Sequence, residues 1–271
     1  MKKNSKRQCY KMVQLFLTIF MIVTYALAAA ILTYVSICSI EDSKDQQQFD
    51  TIAKSIEEQN EDGDTDTTNK VYDLMLKNKD CVGWLKVVDM DVNYPVMLTK
   101  RNPEFYLRRD FNKEYSYMGT PFMDANCNIG ISKNLIIYGH NMKNGRMFAP
   151  LMKFKNKECF DKHQIIEFIT PNENAIYHII CVAKVKADNS WYSFIDDSGE
   201  SHYNEKIKEL YSKSLYHSDY EFGYNDEFLT LSTCEYSQND GRLIVVAVKE
   251  GANSNVCLLY TSPSPRDVEE S

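Results

Sequence analysis

The chain has 271 residues, 44% of them hydrophobic, enough for one domain of ordinary size with its own core and some flanking sequence. A formal net charge of −7 argues against a nucleic-acid partner, because neutralising phosphates needs a basic face and no Lys/Arg-rich stripe follows the N-terminus. The 8 cysteines are widely spaced and form no C-x-x-C pair, which points to neither a disulfide framework nor a zinc site. No metal and no cofactor is expected.

Residues 1–11 form a basic segment, with Lys2, Lys3, Lys6, Arg7 and Lys11 and no acid. No charged residue then occurs before Glu41, and the run LFLTIFMIVTYALAAAILTYV reaches the roughly 20 residues that cross a hydrocarbon core. It is much longer than the roughly 7–15 apolar residues of a signal peptide, and no clear small-residue cleavage site follows, so residues 12–38 read as a retained single transmembrane helix. Basic residues before the span and Glu41, Asp42 and Asp45 after it put the N-terminus in the cytoplasm and the rest of the chain outside. Residues 39–69 are polar and acidic, too poor in apolar side chains to order themselves, and read as a stalk with a short helix around Phe49–Ile56.

The folded domain is placed at residues 70–249. KVYDLMLKN reads as helix and leads into CVGWLKVVDMDVNYPVM, whose β-branched and aromatic residues, broken by Gly83 and Pro95, suggest the first strands. The apolar runs NLIIYGH, QIIEFIT, AIYHIICVAKV, EFLTLSTC and RLIVVAVK have strand length and polar or glycine boundaries, the pattern of an all-β barrel or sandwich. Two stretches interrupt it. RMFAPLMKFKN suggests a short helix interrupted by Pro150, and HYNEKIKELYSKSLYH puts Tyr203, Ile207, Leu210, Tyr211 and Leu215 on one helical face, inside a long connection between strands. Residues 250–271 lose the pattern and read as a disordered or non-native tail.

Cys234 ends the run FLTLSTC just before the polar loop EYSQND, and Arg242 opens the next run. A hairpin between these runs would set the guanidinium beside the sulfur. His140 likewise ends a run, ahead of the loop NMKNG. Thiol, imidazole and guanidinium together meet the needs of acyl transfer: a nucleophile, a proton donor for the leaving amine and a stabiliser of the oxyanion. Each alone would be read as packing or surface charge, as His163, His178, His202 and His217 are.

LTLSTC followed by Arg242, with IIYGHNM upstream, resembles the signature of sortases, the transpeptidases that attach surface proteins to the Gram-positive cell wall. VGWLKV, NYPVM, EFYLRRDF, GTPFMDANC and MFAPLMKF extend the resemblance over Lys70–Lys249 and match class B. It implies a mainly β fold: a closed barrel of about eight strands, with an N-terminal helical segment and a helix inserted before the strand that carries Cys234. It implies too that Cys234 attacks the Thr carbonyl of a sorting motif in a secreted protein, that His140 gives a proton to the departing amine, and that Arg242 holds the oxyanion. A peptidoglycan amine then resolves the thioacyl enzyme. Substrate-binding positions implied by similarity are Leu107, Ser232, Glu235, and Trp191 and Tyr192 in the inserted loop. Such an enzyme would sit on the cell membrane with its catalytic domain outside. The alternatives are a membrane-tethered thiol peptidase and a non-catalytic binding module of the envelope. The Cys and His spacing and order of L,D-transpeptidases and papain-like peptidases are absent.

Overall fold

A computed structural model of the protein describes residues 2–57, 65–196 and 198–251; the tail at 252–271 lies outside the described residues. The chain divides into two compact units, Met1–Gln48 and Phe49–Ser271. Helix α1 runs Lys2–Glu57, and its segment Lys11–Ile37 is long and apolar enough to cross a membrane, a test that a signal sequence also passes.

The second unit includes the end of α1 and then α2 (Thr65–Lys77), β1 (Cys81–Val87), β2 (Val92–Met97), β3 (Phe122–Met123) and β4 (Asn134–Tyr138). After these come α3 (Lys157–Lys162), β5 (Ile165–Ile169), β6 (Asn174–Lys186), α4 (Glu200–Ser212), β7 (Ser214–His217), β8 (Phe228–Cys234) and β9 (Gly241–Lys249). Strands pair in the order β5-β1-β2-β3-β4-β8-β9-β6, and β5 pairs with β6 to close a barrel of eight strands. The ninth, β7, is added outside the ring. Strand β6 makes this possible by its length. Along one edge it pairs with β9, and along the other it pairs first with β5 (Asn174–His178) and then with β7 (Cys181–Ala183).

The apolar run of β9 is continuous because both of its faces are covered. Leu243, Val245 and Ala247 join the main barrel core, while Ile244, Val246 and Val248 join an outer cluster with Tyr203, Ile207 and Leu210 of α4. The inserted helix therefore covers the outer face of the β6–β9 wall. It stops at Ser212, so Leu215, expected on its apolar face, belongs to β7 instead.

Three other expectations change. Pro150 sits in the first turn of the 3-10 helix Ala149–Lys155 rather than interrupting a helix, because its missing N–H costs nothing there. Gly83 and Pro95 lie inside β1 and β2, and the break falls at residues 88–91, where Asp89 takes a positive φ of 60°. Strand β3 meets β2 only at Met97–Phe122, so the edge at Pro95 is open and tolerates a residue without a donor. Finally, Phe49, Ala53 and Ile56, within the stretch read as a stalk, are buried in the core, and Phe49 packs edge-on against Tyr94 at 5.5 Å.

Candidate active site

Strands β8 and β9 form the expected antiparallel hairpin, and its register sets Cys234 directly opposite Arg242. Directly opposed residues are about 5 Å apart at Cβ, so thiol and guanidinium rise from neighbouring points on the barrel rim. Gly241, at the mouth of the hairpin, has no alternative: a Cβ there would lie 2.3 Å from the Glu235 carbonyl. Its own carbonyl accepts the Glu235 N–H (2.9 Å) and the Arg242 Nη1–H (3.0 Å), which braces the guanidinium beside Cys234.

The imidazole arrives from the other side of β8. Strand β4 runs parallel to β8 and its pairing ends at Tyr138–Ser232; His140 lies two residues beyond one member of that pair and Cys234 two beyond the other, and the next residue, Asn141, donates to the Cys234 carbonyl at 2.8 Å. Gly139 lets the chain leave the ladder here, since a Cβ at that position would lie 2.5 Å from the Phe148 ring. The His140 Nε2 is 2.9 Å from the Leu107 carbonyl. A carbonyl only accepts, so Nε2 carries the proton and Nδ1 is the nitrogen left for exchange. Burial pulls the His140 pKa below its ordinary 6.5; the Leu107 carbonyl opposes that shift and Arg108 adds to it.

Five cysteines lie among the described residues of the second unit, all free. Burial pushes the thiol of Cys127 up to about 11 and that of Cys81 up to about 12, and raises those of Cys181 and Cys159 as well. Cys234 is the half-buried thiol that shares its rim with an imidazole and a guanidinium. His178, His202 and His217 pack against Tyr220, Phe194 and Tyr211. Among the described residues no cluster of three His, Cys, Asp or Glu side chains is arranged to hold a metal ion.

The five positions expected to bind substrate are placed differently from one another. Ser232 is buried two residues before Cys234 in β8, and its hydroxyl lies 2.8 Å from the Tyr192 hydroxyl. Tyr192 is half-buried, feels both Arg242 and Cys234, and is pushed by burial to about 12, so it stays a neutral phenol. Leu107 lends its carbonyl to His140 while its side chain packs on the core. Trp191 is not at the rim. Its ring is 2% exposed, packs against Phe194 and Phe228, and donates its indole N–H to Thr230 at 3.0 Å. Glu235 also turns inward: its carboxylate is 2% exposed and meets Lys155 at 3.0 Å, Lys184 at 3.7 Å, and the N–H and hydroxyl of Ser237. Sequence reading missed Lys155, Lys184 and Ser237, which have no motif spacing relative to Glu235. It missed also Thr233, whose hydroxyl donates to the Gly139 carbonyl at 2.8 Å, and Asn141, whose amide donates to the Cys234 carbonyl at 2.8 Å.

A closed barrel that gathers thiol, imidazole and guanidinium at adjoining strand ends has the makings of a cysteine acyl-transfer enzyme, and comparison with known proteins agrees. The Sortase domain family model matches residues 85–250. Sortase B of Staphylococcus aureus is 35% identical over 176 residues, 63% of this chain and 70% of that protein. The X-ray structure of Clostridium perfringens sortase B superposes with a TM-score of 0.62 at 33% identity, covering 66% of this chain and 98% of that one. A Staphylococcus aureus sortase B–substrate complex superposes with a TM-score of 0.65 at 29% identity, covering 78% and 95%. The chain belongs to the sortase family, within class B, and is a cysteine transpeptidase.

Proposed function

We propose that this sortase cleaves a C-terminal sorting motif of secreted surface proteins after Thr and transfers the new acyl end to a peptidoglycan amine. In this reading Cys234 gives its thiol proton to His140 as its sulfur attacks the Thr carbonyl, while Arg242 holds the oxyanion. As the tetrahedral centre collapses, the C–N bond breaks, the amine leaves with a proton from His140, and a thioester remains on Cys234. The acceptor amine adds to that thioester and gives a proton to His140, the C–S bond breaks, and the proton passes from His140 to the departing sulfur, restoring the pair. Ser232 and Tyr192 would line the acyl side. Glu235 would act by holding the hairpin rather than by touching substrate with its carboxylate. The apolar helix at residues 12–38 would anchor the enzyme in the cell membrane, with residues 1–11 in the cytoplasm and the catalytic domain outside.

The observation that carries this reading is the direct pairing of Cys234 with Arg242, with His140 two residues beyond the end of the adjoining strand β4. Support for the two substrates comes from relatives: one sortase B is described in complex with a substrate, and another, 29% identical with a TM-score of 0.65, in complex with triglycine. The test is a peptide library varied at the first and third motif positions, incubated with the enzyme and hydroxylamine. Cleavage after Thr with a hydroxamate product is expected from the parent and not from Cys234→Ala. Equal cleavage by Cys234→Ala would remove the thiol from the mechanism.

A further inference from the structure

The ladder between β4 and β8 ends at Tyr138–Ser232, before either His140 or Cys234 is reached. Something else must hold the two catalytic segments in register. Three contacts continue where the ladder stops. The Gly139 N–H donates to the Ser232 carbonyl at 3.1 Å, the Thr233 hydroxyl donates to the Gly139 carbonyl at 2.8 Å, and the Asn141 amide donates to the Cys234 carbonyl at 2.8 Å.

The last of these acts on the nucleophile's own peptide group. That group is also held from its other side, where the Glu235 N–H donates to the Gly241 carbonyl at 2.9 Å. The peptide plane after Cys234 is therefore clamped between the segment that carries His140 and the strand that carries Arg242. Asn141 works from a firm base. It is bridged to Met147, which is fully buried and gives its N–H to the Tyr94 hydroxyl at 3.2 Å, while the His140 carbonyl accepts from the Phe148 N–H at 2.9 Å.

We propose, resting on the assignment of Cys234 and His140 above, that Asn141 is a positioning residue for transpeptidation: its carboxamide fixes the nucleophile's peptide group in register with the histidine's segment. A carboxamide suits the task, being a donor of the right length that brings no charge beside the imidazole. A carboxylate of the same size cannot donate to a carbonyl.

The test compares Asn141→Ala and Asn141→Asp with the parent, using the full chain in detergent, motif-peptide cleavage, and modification of Cys234 by a methanethiosulfonate reagent with Cys234→Ala as background. Misplacing reacting groups by about 1 Å can cost 10²-fold, so kcat is expected to fall roughly 10- to 100-fold in both variants. KM should stay within about twofold, and Asp should do no better than Ala. Near-parental kcat in Asn141→Asp would show that volume rather than the donor matters and overturn the proposal. So would a rise in KM alone, or a kcat loss no larger than the loss of folded protein. If Asn141→Ala does not fold, the nearly isosteric Asn141→Asp decides by the same criteria. If the parent cleaves no motif peptide, the proposed substrate is wrong, and the modification rate per folded molecule decides on Asn141: a fall of threefold or more in both variants supports it, and an unchanged rate overturns it.

Discussion

Replacing Glu235 with Gln takes one negative charge from a site built to hold it. The side chain is 2% exposed, with one oxygen facing Lys155 at 3.0 Å and Lys184 at 3.7 Å and the other accepting from the N–H and hydroxyl of Ser237. Burial alone would raise the carboxyl pKa, but the Ser237 hydrogen bonds and the Lys155 charge outweigh it and hold the group at about 2, against an ordinary 4.5. A shift of that size corresponds to roughly 3 kcal/mol of preference for the ionised form. Both lysines are about one-third exposed, and solvent screening brings the contribution to about 2 kcal/mol.

Because the folded-state pKa is depressed, this stability is fully present above about pH 4.5 and is lost as pH falls through about 2. Urea unfolding followed by tryptophan fluorescence measures it. With a slope of about 2 kcal/mol per molar urea, Glu235→Gln should lower the midpoint by about 1 M at pH 7, and the gap should shrink to roughly a quarter of that at pH 2.5. No gap at pH 7, or the same gap at both pH values, would refute the account of Glu235 as an ionised anchor of the β8–β9 hairpin.

Arg242→Lys should lower kcat roughly 10²-fold in peptide cleavage with the fold unchanged, since a point charge cannot replace a planar fork of donors; near-parental turnover would make Arg242 a surface charge. In an NMR titration the His140 ring should titrate below 6.5, and its neutral form should favour folding above that pH, an advantage lost as pH falls through the folded-state pKa; a midpoint at or above 6.5 would contradict the burial seen here. Gly139→Ala should cost about 1–3 kcal/mol and also slow catalysis, because Phe148 must yield to the new methyl and His140 is the next residue. Deleting residues 1–40 should leave stability unchanged, whereas deleting residues 1–57 removes buried Phe49, Ala53 and Ile56 and should cost about 4 kcal/mol in urea unfolding; equal midpoints would mean that these side chains contribute nothing to the core.

What could be read from the sequence followed from how each signal arises. The Cys234–Arg242 hairpin was legible because two apolar runs flank one short polar loop, and pairing across such a loop leaves little choice of register. β3 and β7, with two and four residues, are too short to show a period, and they exist because neighbouring strands offer open edges. The end of α1 was harder. Phe49, Ala53 and Ile56 recur at helical spacing, but in a stretch so polar that its composition pointed to a stalk, and only the barrel surface that receives them makes the pattern meaningful.

The site itself divides along the same line. The residues proposed to meet the reacting atoms stand at or just beyond strand ends and carry motif spacing, so Cys234, His140 and Arg242 could be proposed from sequence. Residues that aim them do so across sequence gaps that no motif encodes: Asn141 reaches Cys234 from 93 positions away and Lys155 reaches Glu235 from 80. Trp191 and Tyr192 show the limit most plainly. They are adjacent and both aromatic, yet the 3-10 turn that holds them sends one ring into the outer core against Phe194 and the other toward Ser232. Which of two neighbours faces the rim is decided by the covering layer around Phe228, so a side chain's role beside Cys234 depends on packing as much as on its place in the motif.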